Sequence, residues 1–334
     1  MSQGKIRSIH VLALAVVTIA LGSLALSAAA QTERTGRQVP AVTHNTWTSG
    51  AAMPTAIKFP AGMGVIKGEI YVVGGSTATA VIADTQIYNP VANTWSTGTA
   101  LPAATFDGAS AVVKNVLYVF GGLTSGITYT NAVWAYNLKT NTWSAKSAMP
   151  TARASTAAVV EKNIVYVIGG NGTTGLRLTT VESYNPATNT WTEEAPLLVG
   201  KSEPSVGLVG TTIVAADGYN AASGDNGDNE GYSVSTNSWK SLTADPMGRN
   251  AACTGSTGGQ LYVAGGSNSG DAPQSVTESF RLSKNKWTTL AAIPQAVIAP
   301  GSAVNKGVLY CFGGGDDGRP NQGNVYSNVQ IYQP

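Results

Sequence analysis

The chain has 334 residues, 39 of them glycine, with 43% of hydrophobic type and 11% charged. That excludes a disordered chain, which would bury too little apolar surface to fold, and it favours short strands and tight turns over long solvent-facing helices. Once Lys5 and Arg7 leave with the leader described next, 18 basic residues face 18 acidic ones, which excludes a polycationic nucleic-acid-binding or membrane-surface protein.

Residues 1–30 read as a signal peptide. Lys5 and Arg7 precede an apolar run from Val11 to Leu26, and Ser27-Ala28-Ala29-Ala30 supplies the small residues of a cleavage site. The run is 16 residues long, short of the roughly 20 needed to span a bilayer. No cysteine follows it, so a lipid anchor is not expected. The mature chain is predicted to be extracytoplasmic, periplasmic or secreted, without membrane insertion after cleavage. Residues 31–42 are polar and read as a flexible tether.

One period organises residues 43–334. Trp47, Trp95, Trp143, Trp191, Trp239 and Trp287 are each 48 residues apart, and six such units fill the chain from Trp47 onward. A period of this length is the signature of a repeat architecture. Apolar runs end at Gly74-Gly75, Gly121-Gly122, Gly169-Gly170, Gly265-Gly266 and Gly313-Gly314, with Asp217-Gly218 in the fourth unit. An aromatic residue, Tyr88, Tyr136, Tyr184, Tyr232 or Phe280, sits seven residues before the next tryptophan.

Each unit reads as four short antiparallel strands. The first two are apolar on both faces and join through tight turns such as Lys67-Gly68 and Gly258-Gly259. The third carries the aromatic residue, and turns such as Asn185-Pro186-Ala187-Thr188-Asn189 reverse it into the fourth, which carries the tryptophan. A sheet apolar on both faces is unstable alone, and six arranged radially bury those faces against one another. The set of features (a strand ending in Gly-Gly, then tyrosine, then Asn-Thr-Trp followed by Met-Pro or Leu-Pro) resembles the Kelch repeat across residues 47–334. The resemblance implies an all-β, six-bladed Kelch β-propeller. The last unit ends at Tyr332 without a tryptophan strand, and the segment around Trp47 has no preceding strands, so the N-terminal strand is expected to complete the last blade and close the ring.

Alternating strand direction places two sets of links at one end of such a ring, forming a central mouth where loops on a rigid scaffold can carry function. Ten residues after each tryptophan stand Ile57, Thr105, Arg153, Lys201, Arg249 and Val297. Arg153, Lys201 and Arg249 are therefore candidate ligand cations, with pairing to acids or carbonyls between blades as the alternative. Asp107 and Glu203, two residues further along, and Asn171 and Tyr219, in the second set of links, complete the candidate ligand-binding set.

His44 is the one histidine expected in the mature chain, so no histidine-based metal site or Ser-His-Asp triad can assemble. No cofactor and no metal are predicted. The loop Ser223–Glu230 holds carboxylates and amides without the full spacing of a calcium loop, and Asp316-Asp317-Gly318 is a weaker example. Cys311 occupies the slot of Val72, Val119, Val167 and Val263, which predicts a buried apolar thiol. A disulfide to Cys253 across adjacent blades is the alternative in an oxidising compartment.

These features suggest an exported, monomeric, non-catalytic recognition module that binds a glycan, acidic sugar or protein ligand at the mouth. The resemblance also extends to sialic acid mutarotases, N-acetylneuraminate epimerases built on exported Kelch propellers. That implies a second reading in which one of the three cations holds the sugar carboxylate and Glu203 or Asp107 acts as acid and base. A cell-surface structural or adhesive role is the third.

Overall fold

A computed structural model of the protein describes residues 44–220, 224–225, 227–268 and 272–334. The predicted signal peptide and tether lie outside these residues, as does part of the 223–230 loop. Six four-stranded antiparallel sheets form the blades. Blades 1 to 5 span residues 62–98, 109–146, 157–193, 205–242 and 253–289, and blade 6 takes residues 301–333 plus the N-terminal strand Thr46–Gly50. The helical content of the described residues is a single turn, Leu282–Lys284, and no helix among them is long and apolar enough to cross a membrane.

The second strands are the core of each blade. Leu117, Val119 and Phe120, or Leu309, Cys311 and Phe312, are at most 1% exposed, because both faces of these strands are covered by neighbouring blades. First strands of successive blades pack side by side, as in the contacts of Gly62–Ile66 with Ala109–Val113 and of Ser205–Val209 with Cys253–Thr257.

The Asn-Thr-Trp motif joins the blades. Each tryptophan ring packs on the aromatic residue across the strand pair, with centroids 5.0–5.2 Å apart from Tyr88–Trp95 round to Trp47–Tyr332. Each indole N–H donates to a carbonyl in the preceding link: Trp95 to Ala51, Trp143 to Thr99, Trp191 to Ser147, Trp239 to Ala195, Trp287 to Thr243 and Trp47 to Ala291. The motif asparagine, held at positive φ, accepts from that same link residue. Ala51, Ser147, Ala195, Thr243 and Ala291 use their main-chain N–H, and Thr99 uses its hydroxyl. In five repeats the tyrosine hydroxyl also donates to this asparagine.

The ring closes as the sequence predicts. Trp47 pairs with Tyr332 and Gly50 with Val329 in an antiparallel ladder, so the first strand supplies the fourth strand of blade 6. Asn45 accepts from Tyr332 at 2.9 Å and from Ala291 at 2.7 Å. The closing blade thus uses the same bonds as the blades whose strands are contiguous in sequence, and the third strand of blade 6 is not left as an unpaired edge.

Candidate functional site

Two sets of loops meet at one end of the ring. Each link between blades pairs through its main chain with the loop that follows the second strand: Lys58 with Ser76, Phe106 with Leu123, Ala154 with Asn171, Ser202 with Tyr219, Asn250 with Ser267 and Ile298 with Gly315. The next link positions are Phe59, Asp107, Ser155, Glu203, Ala251 and Ala299, all in the left-handed region with φ from 49° to 57°. The main-chain N–H of each donates to the carbonyl of its counterpart in the preceding link, at 2.7–3.3 Å, and Phe59 donates to Ala299. The result is a closed belt of six main-chain hydrogen bonds around the axis. Its bonds hold in place a conformation that residues other than glycine adopt at a cost.

The belt residues line a central cavity of about 260 Å³. On its wall, Ser155 Oγ donates to Asp107 Oδ2 at 2.5 Å, and Asn171 Nδ2, which lies outside this cavity, donates to Ser155 Oγ at 3.2 Å. Burial pushes the Asp107 carboxyl up to about 7, against the opposing effect of the hydrogen bonds from Ser155. Such a carboxyl can both give and take a proton near neutrality.

A wider cavity of about 620 Å³ forms the mouth, lined by Asn171, Arg177, Ser202, Tyr219, Asn250, Ser267 and the Asp316–Arg319 segment. Glu203 lines both cavities. The Arg177 guanidinium lies 4.7 Å from the centroid of the Tyr219 ring, and its Nη1 donates to the Gly175 carbonyl at 3.0 Å. Arg177 makes no ion pair among the described residues.

The opposite wall comes from the loop after the second strand of blade 6, where Tyr332 follows Gly313 four residues later than Tyr136 follows Gly121 or Tyr184 follows Gly169. Buried Lys58 anchors it, with Nζ donating to the carbonyls of Asp317 and Gln322, and Ser76 Oγ donates to Asn321 Oδ1 at 2.8 Å. Burial lowers the Lys58 ammonium pKa, opposed by Asp317 and Asp316. The hydrogen bond from Arg319 pulls Asp317 down to about 2, and Asn324 lowers Asp316 in the same way. This wall therefore presents ionised carboxylates already engaged by neighbouring side chains.

A family model described as the KLHDC2/KLHL20/DRC7 Kelch-repeats domain matches residues 41–224, more than half of the chain, and a Kelch motif model matches residues 248–293. The chain belongs to the Kelch-repeat family. A solved structure titled "Structure of YjhT" is similar to this Kelch propeller, with a TM-score of 0.70 and 17% sequence identity over 84% of this chain and 96% of that one, a likeness of fold. No curated protein sequence matches significantly.

The Kelch propeller brings Asp107, Glu203, Asn171 and Tyr219 to the axis and mouth, but not the three cations. Arg153, Lys201 and Arg249 are 0% exposed, and the expectation that they face the opening is corrected. Arg153 binds Glu182 at 2.9 Å and the carbonyls of Gly169, Thr180 and Val167. Lys201 lies 3.2 Å from Glu230, and Arg249 pairs with Glu278 and, at 3.0 Å, with Asp245. The physical reason is the carboxylate on each third strand, which draws the cation in between blades. The repeats show the matching signal: Glu182, Glu230 and Glu278 occupy the third-strand slot held by Gln86, Trp134 and Gln330 where the link carries Ile57, Thr105 or Val297.

The cysteines also differ from the apolar-thiol expectation. Cys253 on the first strand of blade 5 and Cys311 on the second strand of blade 6 form a disulfide, with Cα atoms 5.7 Å apart. The mouth cation that sequence reasoning missed is Arg177. It stands in the loop after the second strand of blade 3, at a position that Tyr129 and Pro273 hold in repeats 2 and 5, so the 48-residue period gives no equivalent cation to compare.

Proposed function

We propose that this Kelch propeller is an exported recognition module that binds a carbohydrate at its mouth. The observation that carries the reading is Arg177, a guanidinium backed by the Tyr219 ring and lacking a carboxylate partner among the described residues, in a cavity whose lining also holds amides, hydroxyls, carboxylates and Arg319, the last paired with Asp317. Hydroxyl-rich ligands suit such a lining, and a carboxylate on the sugar would gain a charge-assisted bond contributing about 1.5–3 kcal/mol. The disulfide supports the export reading, since such bonds persist in oxidising compartments.

Binding to immobilised neutral and acidic glycans, followed by calorimetry on any that bind, tests the proposal. Arg177→Ala should weaken an acidic glycan by at least tenfold and a neutral one less. Equal binding by the variant, or no glycan binding by the wild type, would reject it.

A second reading, mutarotation of an acidic sugar, is favoured by Asp107 alone. Its carboxyl near 7 shares the axial belt with Glu203, which reaches both cavities. Anomeric exchange of sialic acid followed by NMR decides it: a rate unchanged by the protein removes catalysis.

A further inference from the structure

The joint between blades 4 and 5 departs from the repeat at two positions that meet. Asp217 stands where the other repeats have Gly74, Gly121, Gly169, Gly265 and Gly313, and Asp245 where the other links bury Met53, Leu101, Met149, Leu197 and Ile293. In blade 2, a Cβ on Gly121 would crowd the Arg153 carbonyl and come within 2.7 Å of Met149 Cε. The shorter Asp245 side chain leaves the methionine's share of that space to Asp217, which is 0% exposed and has no hydrogen-bond partner on either carboxyl oxygen among the described residues.

The charges around Asp217 do not balance. Lys201 from the preceding link binds Glu230 and the Asp228 carbonyl, and Arg249 from the following link binds Asp245 and, in blade 5, Glu278. With Asp217, four carboxyls share two cations in a region closed to water, and the Asp228 carboxyl lies on the adjoining segment. An uncompensated buried charge is costly, so such a cluster keeps protons rather than full charge.

We propose that this joint is an internal proton-binding site that couples the pH outside the protein to the seating of Tyr219, and through it of Arg177, in the mouth. A proton on Asp217 lets its O–H donate to the Asp245 carboxylate and holds the Asp217-Gly218-Tyr219 segment against the following link, where the Gly218 N–H binds the Arg249 carbonyl at 2.7 Å. Loss of that proton to solvent sets Asp217 against Asp245 and loosens the segment that carries the aromatic support of Arg177. Burial, then the Asp245 charge, raises Asp217 well above the ordinary carboxylate range, while Arg249 and Lys201 oppose the rise. Burial and Asp245 likewise push Glu278 up to about 7.

For an acid raised in the folded state, the stabilisation is complete below the unfolded value near 4 and is lost as pH rises through the folded value. One proton corresponds to at most about a tenfold change in the unfolding constant per pH unit.

The test follows the ring resonances of Tyr219 in carbon-labelled protein, assigned by their loss in Tyr219→Phe, from about pH 5 to about pH 9, alongside urea unfolding. In the wild type, the Tyr219 signal should move in a one-proton step, and the unfolding constant should rise relative to Asp217→Asn by up to about tenfold per unit. Asp217→Asn should abolish the step. Asp217→Gly restores the residue of the other repeats and should do the same if the amide variant fails to fold. A Tyr219 signal that is flat in the wild type, or that titrates identically in both variants, overturns the proposal. No ligand is needed, so failure of the carbohydrate reading would leave the outcome unaffected.

Discussion

Arg153 and Glu182 allow the role of the buried cations to be measured. Arg153→Ile leaves Glu182, whose side chain is 3% exposed, without its cation, and breaking a buried pair from one side costs about 3–5 kcal/mol. It also removes donors from the carbonyls of Gly169, Thr180 and Val167. Adding Glu182→Gln reproduces the Ile57 and Gln86 combination of blade 1, where the glutamine binds Thr55 through both its amide and carbonyl groups. The double variant therefore loses the three carbonyl contacts but no longer buries a lone charge, and should lie about 1–3 kcal/mol below the wild type. A coupling energy of about 2 kcal/mol or more is expected from the cycle, read by urea denaturation with tryptophan fluorescence. Additive single effects, or an Arg153→Ile variant as stable as the wild type, would refute the assignment of these cations to the joints between blades.

Three further outcomes follow from single features. Reduction of the Cys253–Cys311 bond, or Cys253→Ala with Cys311→Val, should cost about 2–4 kcal/mol, and a thermal midpoint unchanged by reductant would contradict it. Phe280→Tyr should add up to about 1 kcal/mol, because Phe280 packs on Trp287 as the tyrosines do on their tryptophans, yet supplies no hydroxyl to Asn285; a loss in denaturant midpoint would show that the ring has no room for it. Asp107, raised to about 7 by burial, stabilises the fold most fully below about pH 4 and loses that contribution as pH rises through 7. Asp107→Asn should flatten this part of the stability profile, and an unchanged slope between about pH 5 and about pH 8 would count against the shift.

Much of the architecture was legible because each repeat residue does the same job six times. Tryptophan and asparagine recur at fixed spacing since each bonds the preceding link at an equivalent point, the tyrosine recurs because its hydroxyl holds that asparagine, and Trp47 could be matched to Tyr332 by counting what the last repeat omits. The three cations were legible as a set but not in their destination. Their partners lie on third strands, Arg153 and Glu182 being 29 residues apart, and only comparison of that slot across repeats reveals which links carry charge. Cys253 and Cys311 fall on different strands of their repeats, 58 residues apart, so the period does not align them. Asp217 reads in the sequence as a local departure from the Gly-Gly pairs, and only the fold shows Asp245 beside it. Arg177 occupies a loop position where its counterparts in repeats 2 and 5, Tyr129 and Pro273, carry no charge to mark it.

The axial belt separates what the ring needs from what its six positions display. Its bonds run entirely between main-chain atoms, so Phe59, Asp107, Ser155, Glu203, Ala251 and Ala299 are interchangeable as far as closure is concerned. The innermost rim of this scaffold behaves like a keyboard whose keys can be relabelled within the limits of a left-handed backbone, with Asp107 and Ser155 bonded to each other as a pair.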